Sequence, residues 1–204
     1  MNIICFGDSI TEAATCPPEL GWPTLLQMLL DKAATRKFVV HNRGVGGDTT
    51  ACGFDRLETD VLPLLPGLVI VQFGFNDANV RDWAAVPRVG LREFEKNLCE
   101  FHRITKARTS RCVFIVNHTL GPVVGTQGNG KSYQENFEPY NLLIRDTAHR
   151  LDAPIVDLPA LMARRDVNPT TIVADDGLHL NVSGNRAYAD MVFERLQQIL
   201  GGSG

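Results

Sequence analysis

A serine after an apolar run, a histidine close to an aspartate, and amide donors after two further apolar runs are the residues here that can do chemistry together. Ile3-Ile4-Cys5-Phe6 leads into Gly7-Asp8-Ser9. A serine hydroxyl attacks an acyl carbon only when a base takes its proton. His179 is the candidate base, because an ordinary imidazole pKa of about 6.5 suits proton traffic at neutral pH. Asp176 stands three residues earlier. Within a turn, that spacing brings a carboxylate to Nδ1 and leaves Nε2 free to face Ser9. The Gly47 N–H, the Asn76 side-chain amide and the Ser9 N–H are candidate donors to the oxyanion of a tetrahedral intermediate.

Each part also has a plain structural alternative. Gly-Asp-Ser suits a strand-to-helix turn with a capping side chain. Asp175-Asp176-Gly177 suits a solvated turn with His179 at the surface, and Asn76-Asp77 an Asx turn. Gly44, Gly46 and Gly47 suit a turn needing positive φ.

The elements that must position these residues are legible from periodicity. Ile3–Phe6, Phe38–Val40, Leu68–Phe73, Val113–Val116 and Ile155–Leu158 read as strands. Leu68–Phe73 is apolar almost throughout, as a strand buried on both faces should be. Helices are expected from Pro23 to about Ala34, from Thr49 or Thr50 with Phe54, Leu57 and Val61 on one face, and around Leu91, Phe94, Leu98 and Phe101. Two more are expected over Tyr140–Leu151 and after a capping Ser183, with Ala187, Met191 and Leu196 inward. Five strands alternating with five helices predict an α/β fold with a five-stranded parallel sheet covered on both faces. Residues 1–200 read as a single domain, and 201–204 as a flexible tail or cloning scar. Gly7-Asp8-Ser9, Gly44 to Thr49 and Gly74 to Asp77 each follow a predicted strand, so they should share the carboxyl edge of the sheet. Gly7 is expected to supply the backbone freedom that lifts Ser9 out of its strand.

Four blocks in order, Phe6-Gly7-Asp8-Ser9, Asn42-Arg43-Gly44-Val45-Gly46-Gly47, Gly74-Phe75-Asn76-Asp77 and Asp176-Gly177-Leu178-His179, resemble those of the SGNH (GDSL-type) hydrolases. The resemblance spans residues 3 to about 196. It implies a flavodoxin-like three-layer α/β/α sandwich and hydrolysis of esters or thioesters without metal or cofactor. By position it makes Ser9 the nucleophile, Asp176 and His179 its partners, and Ser9, Gly47 and Asn76 the oxyanion donors. The implied activity is a serine esterase for small to medium acyl chains. Lysophospholipase, acyl-thioesterase and carbohydrate O-acetylesterase are alternatives on the same site, and a catalytically silent binding module is an alternative of another class. The block flavour is closest to the thioesterase and lysophospholipase branch. A long glycine-rich loop over residues 118–139 departs from the short proline-containing turn of many members.

Trp22, Phe54, Phe75 and His118 are candidates for a pocket wall, with Phe54 equally suited to the core. Arg43 and Arg81 read as surface arginines near the site loops. Gly125 to Ser132 satisfies G-x-x-x-x-G-K-[ST], yet the segment neither leaves a strand directly nor enters a clean helical turn, because Pro139 follows. His41, His102, His118 and His149 show no metal-ligand spacing with cysteine or carboxylate. Twenty basic against twenty-three acidic residues give a net charge of −3, which offers no general attraction to nucleic acid. No apolar run approaches the roughly 20 residues of a membrane span. The expected partner is a small-molecule ester, and oligomerisation stays open. Five scattered cysteines and a start without a basic, apolar leader read as a reduced, cytoplasmic protein, with Cys5 and Cys112 as buried free thiols.

Overall fold

A computed structural model describes residues 1–33, 37–122 and 125–201. The expected end of the first long helix at Ala34, residues 123 and 124 of the 118–139 loop and residues 202–204 of the expected tail lie outside them, whereas Gly201 is the last residue of the final helix and not part of a tail. In chain order the elements are β1 (Asn2–Gly7), α1 (Ser9–Glu12), α2 (Trp22–Ala33), β2 (Val39–Gly44), α3 (Thr50–Asp55), α4 (Leu57–Asp60), β3 (Gly67–Gln72) and α5 (Phe75–Ala78). There follow α6 (Leu91–Lys106), β4 (Arg111–Val116), α7 (Tyr133–Arg150), β5 (Ile155–Asp157), α8 (Leu158–Arg164), α9 (Pro169–Ile172) and α10 (Val182–Gly201).

The five strands form one parallel sheet in the order β2-β1-β3-β4-β5. Helices α2, α8 and α10 cover one face, and α3, α6 and α7 the other. This is the doubly wound, three-layer arrangement expected. The chain reverses its winding direction between β1 and β3, and the crevice beyond their carboxyl ends is where such sheets bind ligands. Ile3, Ile4, Cys5 and Phe6 in β1, Leu68 to Val71 in β3 and Cys112 to Val116 in β4 are all buried. Continuous apolar sequence there reflects cover on both faces, and each such side chain contributes about 1.5–3 kcal/mol on burial.

Four local expectations change. β2 continues through His41, Asn42 and Arg43, because an edge strand keeps one side in water and tolerates polar residues. The helix after Thr49, which does cap it by accepting from the Cys52 N–H, breaks at Arg56 into α3 and α4. α7 begins seven residues before Tyr140 and carries Pro139 inside it. A reciprocal cap starts it: the Ser132 hydroxyl accepts from the Glu135 N–H, while the Glu135 carboxylate accepts from the Ser132 N–H. That nucleus offsets the bond Pro139 cannot donate. The Ser132 of the phosphate-loop-like motif is therefore a helix cap, although a helix does follow the motif. Asn181, not Ser183, caps α10, its side chain accepting from the Gly184 N–H. Short helices α8 and α9 were not expected from periodicity.

Candidate active site

β1 delivers Ser9 to the sheet's carboxyl edge, where Asp8 starts α1 by accepting from the Ile10 N–H at 2.9 Å. Gly7 is needed for space rather than for unusual φ. A Cβ there would lie 2.3 Å from Thr11 Oγ1 and 2.5 Å from the Gln72 carbonyl oxygen. The turn before α10 brings in the other two groups. Asp176 Oδ1 accepts from the Leu178 and His179 N–H groups, each at 2.9 Å. Its Oδ2 is 2.6 Å from His179 Nδ1. Burial pushes the Asp176 pKa up, but the His179 ring bond and the two N–H bonds outweigh this and hold it below the usual value. An ionised carboxylate only accepts, so Nδ1 carries the ring proton and Nε2 presents its lone pair. The Ser9 hydroxyl donates to that lone pair at 2.8 Å. Hydroxyl, imidazole and carboxylate thus form one line from residues 170 positions apart. Such a line can draw a proton off the hydroxyl as it attacks.

The candidate oxyanion donors converge on the same edge. The Asp48 N–H donates to the Val45 carbonyl at 3.2 Å, closing a turn with Gly47 at φ +80. A positive φ at the third position is what a type II turn requires. A Cβ on Gly46 would be 4.0 Å from Ser9 Cβ, so this turn borders the serine. Asn76 lies on α5, just after β3. Among the described residues, the Gly47 N–H and the Asn76 amide donate to no protein acceptor. Arg88, singled out by no sequence signal, joins the two: its guanidinium donates to Asn76 Oδ1 at 3.2 Å and to the Gly47 carbonyl at 2.9 Å.

Buried polar groups fix these loops from beneath. Asp77 Oδ1 accepts from the Thr50 N–H and hydroxyl, tying α5 to the start of α3. Arg56 donates to the Gly7 and Arg43 carbonyls at the ends of β1 and β2 and pairs with Asp48 at 2.6 Å. Thr11 donates to Gln72 Oε1, Gln72 Nε2 to Asn117 Oδ1, and Asn117 Nδ2 to the Phe73 carbonyl. Asn117 and Asn141 exchange two further bonds, which reach α7.

The expected wall residues are beneath the site instead. His118 is fully buried and donates from Nε2 to the Leu178 carbonyl at 2.9 Å. Burial lowers its pKa to about 4, so it is a neutral prop for the turn that holds Asp176 and His179. Trp22 is buried against Tyr188 and donates its indole N–H to the Ile10 carbonyl. Phe75 stacks on Phe137 at 4.3 Å and is likewise buried. These three side chains present no surface to a ligand. Phe54 is half exposed and stacks on Phe101. Arg43 follows the surface reading with a bond to the Asp60 carbonyl, and Arg81 lies over the exposed Trp83 ring. Among the described residues no cluster of histidine, cysteine, aspartate or glutamate suits a metal ion. Cys5 and Cys112 are buried free thiols, the latter pushed up to about 12 by burial.

Burial raises the pKa of Asp8 to about 7 and of Asp77 to about 6, and among the described residues Oδ2 of each accepts no hydrogen bond. A carboxyl raised on folding binds more protons folded than unfolded between its ordinary and raised values. Its contribution is full below about pH 4 and is lost as pH rises through about 7. Asp8→Asn keeps the oxygen that accepts from Ile10 and removes the charge. It is expected to raise Tm at pH 8 by about 2–4 °C, or about 1 kcal/mol, with the gain vanishing near pH 4. Thermal denaturation at both pH values checks this, and a lower Tm than the parent at pH 8 counts against it.

The chain is 31% identical over 180 residues to the uncharacterized lipoprotein YqeF of Bacillus subtilis (strain 168), covering 76% of this chain and 70% of that protein. It is 25% identical over 201 residues to an arylesterase of Vibrio mimicus, covering 96% and 88%. The crystal structure of the acetyl xylan esterase AlAXEase matches with a TM-score of 0.76 at 25% identity, over 95% of this chain and 98% of that one. Fold and relatives define the class as carboxylic ester hydrolases. The chain belongs to the GDSL-like lipase/acylhydrolase family, whose model matches residues 5–187, in agreement with the four blocks. No helix among the described residues is long and apolar enough to cross a membrane.

Proposed function

We propose that the protein is a serine esterase acting through an acyl-enzyme. His179 Nε2 takes the Ser9 proton as Oγ attacks the ester carbonyl. The Ser9 and Gly47 N–H groups and the Asn76 amide receive the oxyanion. The tetrahedral adduct collapses, the acyl–oxygen bond breaks, and the alcohol leaves with the proton from His179. Water then attacks the acyl-enzyme, with His179 again as base, and returns free Ser9 and a carboxylic acid. The observation that carries this reading is the 2.8 Å approach of Ser9 Oγ to an imidazole already held by Asp176.

Esters of small to medium acyl chains are the proposed substrates. Acetylated sugars are a second reading. Trp83 is 80% exposed on the loop that Arg88 ties to the site, and an open aromatic face suits a sugar ring. The likeness to an acetyl xylan esterase points the same way. Five free thiols favour a reducing, cytoplasmic setting.

A fluorophosphonate probe should label the protein once, on the peptide carrying Ser9. Hydrolysis of p-nitrophenyl esters of rising chain length, beside acetylated xylo-oligosaccharides, sorts the substrates. Protein left unlabelled and inert on the whole panel is a binding module instead.

A further inference from the structure

We infer that Arg88 is a positioning residue, its forked contact orienting the Asn76 amide and anchoring the turn that carries the Gly47 N–H. The inference rests on the proposed roles of those two residues. A planar amide reversed by half a turn offers an oxygen where a donor is needed, and contacts of similar shape hold either orientation. Arg88 removes this ambiguity, because a guanidinium has five donors and no acceptor. The atom it meets on Asn76, at 3.2 Å from Nη1, must be the oxygen. Nδ2 therefore faces the other way, where it has no protein acceptor among the described residues.

The second fork acts on the glycine turn. The peptide between Gly46 and Gly47 is the central unit of its turn, and such a unit exchanges readily between type I and type II orientations. Only the type II orientation needs Gly47 at positive φ. Arg88 Nη2 holds the Gly47 carbonyl at 2.9 Å, which fixes the peptide that follows this glycine and anchors the end of its turn to the Asn76 loop. Gly47 φ is +80.

Arg88 is itself well placed to be rigid. Its own N–H donates to the Asn79 carbonyl, and the next residue's N–H donates to the Asp77 carbonyl. No carboxylate forms an ion pair with it among the described residues. Both of these contacts are to neutral oxygens. A lysine keeps the charge but cannot fork to two oxygens.

The test is a double-mutant cycle on p-nitrophenyl acetate. Arg88→Ala is expected to lower kcat by about 10–100-fold with KM changed less than about threefold, since removing a donor outright costs about 10²–10³. In the Asn76→Ala background the same change should cost a factor at least about three times smaller, because one of its two targets is gone. Arg88→Lys should fall between parent and alanine. Arg88→Gln replaces the alanine variant should that fail to fold, as judged by its Tm. Equal factors in both backgrounds mean a merely structural loop contact and overturn the inference, as does a parent-like kcat in Arg88→Ala. The underlying reading fails separately, when Ser9→Ala or Asn76→Ala keeps parental activity.

Discussion

Ser9→Ala is expected to lower kcat on p-nitrophenyl acetate by about 10⁴–10⁶-fold while leaving Tm within about 2 °C of the parent. The structure gives the reasons for both halves. Among the described residues the Ser9 side chain makes one hydrogen bond, to His179 Nε2, and the nitrogen its removal frees is only partly buried. The serine backbone opens α1, whose cap belongs to Asp8. What disappears is the atom that would carry the acyl group. Residual turnover would come from water attacking an ester held against the remaining donors, a contribution of about 10³ over solution. Steady-state assays with burst-phase detection measure the loss, and parental activity in the variant would remove the acyl-enzyme altogether.

Asp176→Asn is expected to cost about 10⁴ in kcat with little change in fold. The new amide cannot choose its orientation freely. Two backbone N–H groups, from Leu178 and His179, point at Oδ1 and demand an oxygen there. The NH₂ group must then take the position of Oδ2, 2.6 Å from His179 Nδ1. A donor facing Nδ1 forces the ring proton onto Nε2. That nitrogen can then donate to Ser9 but cannot accept its proton. Asp176→Ala, which leaves the tautomer free, is expected to be the less damaged of the two at high pH. A pH–rate series on both variants decides: equal profiles would mean that the carboxylate acts by charge alone.

The chemistry was readable because its residues advertise themselves locally. Asp176 and His179 sit three apart in one turn, Ser9 and Asn76 come just after apolar runs that read as strands, and Gly47 lies in a glycine-rich segment a little beyond a shorter one. A parallel sheet covered on both faces follows from the same runs, whereas the strand order comes only from the pairing of strands in space. What stayed hidden depends on partners distant in sequence. Arg88 meets Gly47 across 41 residues, and Arg56 reaches Gly7 across 49. Nothing near either arginine marks it off from a solvated one. His118 and Trp22 misled for the opposite reason. Their types suit a pocket wall, but burial depends on which face of a loop or helix the core takes. The second half of β2, His41 to Arg43, carries no apolar strand signal because an edge strand keeps one side in water. Pro139 looked like a stop because a helix nucleus at Ser132 and Glu135 needs three-dimensional closure to outweigh it.

The chain of amides between α1 and α7 has a one-way sense. The Phe73 carbonyl can only accept, so the nitrogen of Asn117 must face it and the oxygen must turn toward Gln72. That choice forces the nitrogen of Gln72 toward Asn117 and its oxygen toward Thr11, whose hydroxyl is left to give its hydrogen. Information set at one backbone oxygen therefore arrives, unaltered, two residues from Ser9. Positions 11, 72 and 117 are in this sense a single word spelled in three places: evolution can rewrite them as a set, while a change of any one letter leaves its neighbours addressing nothing in a dry interior.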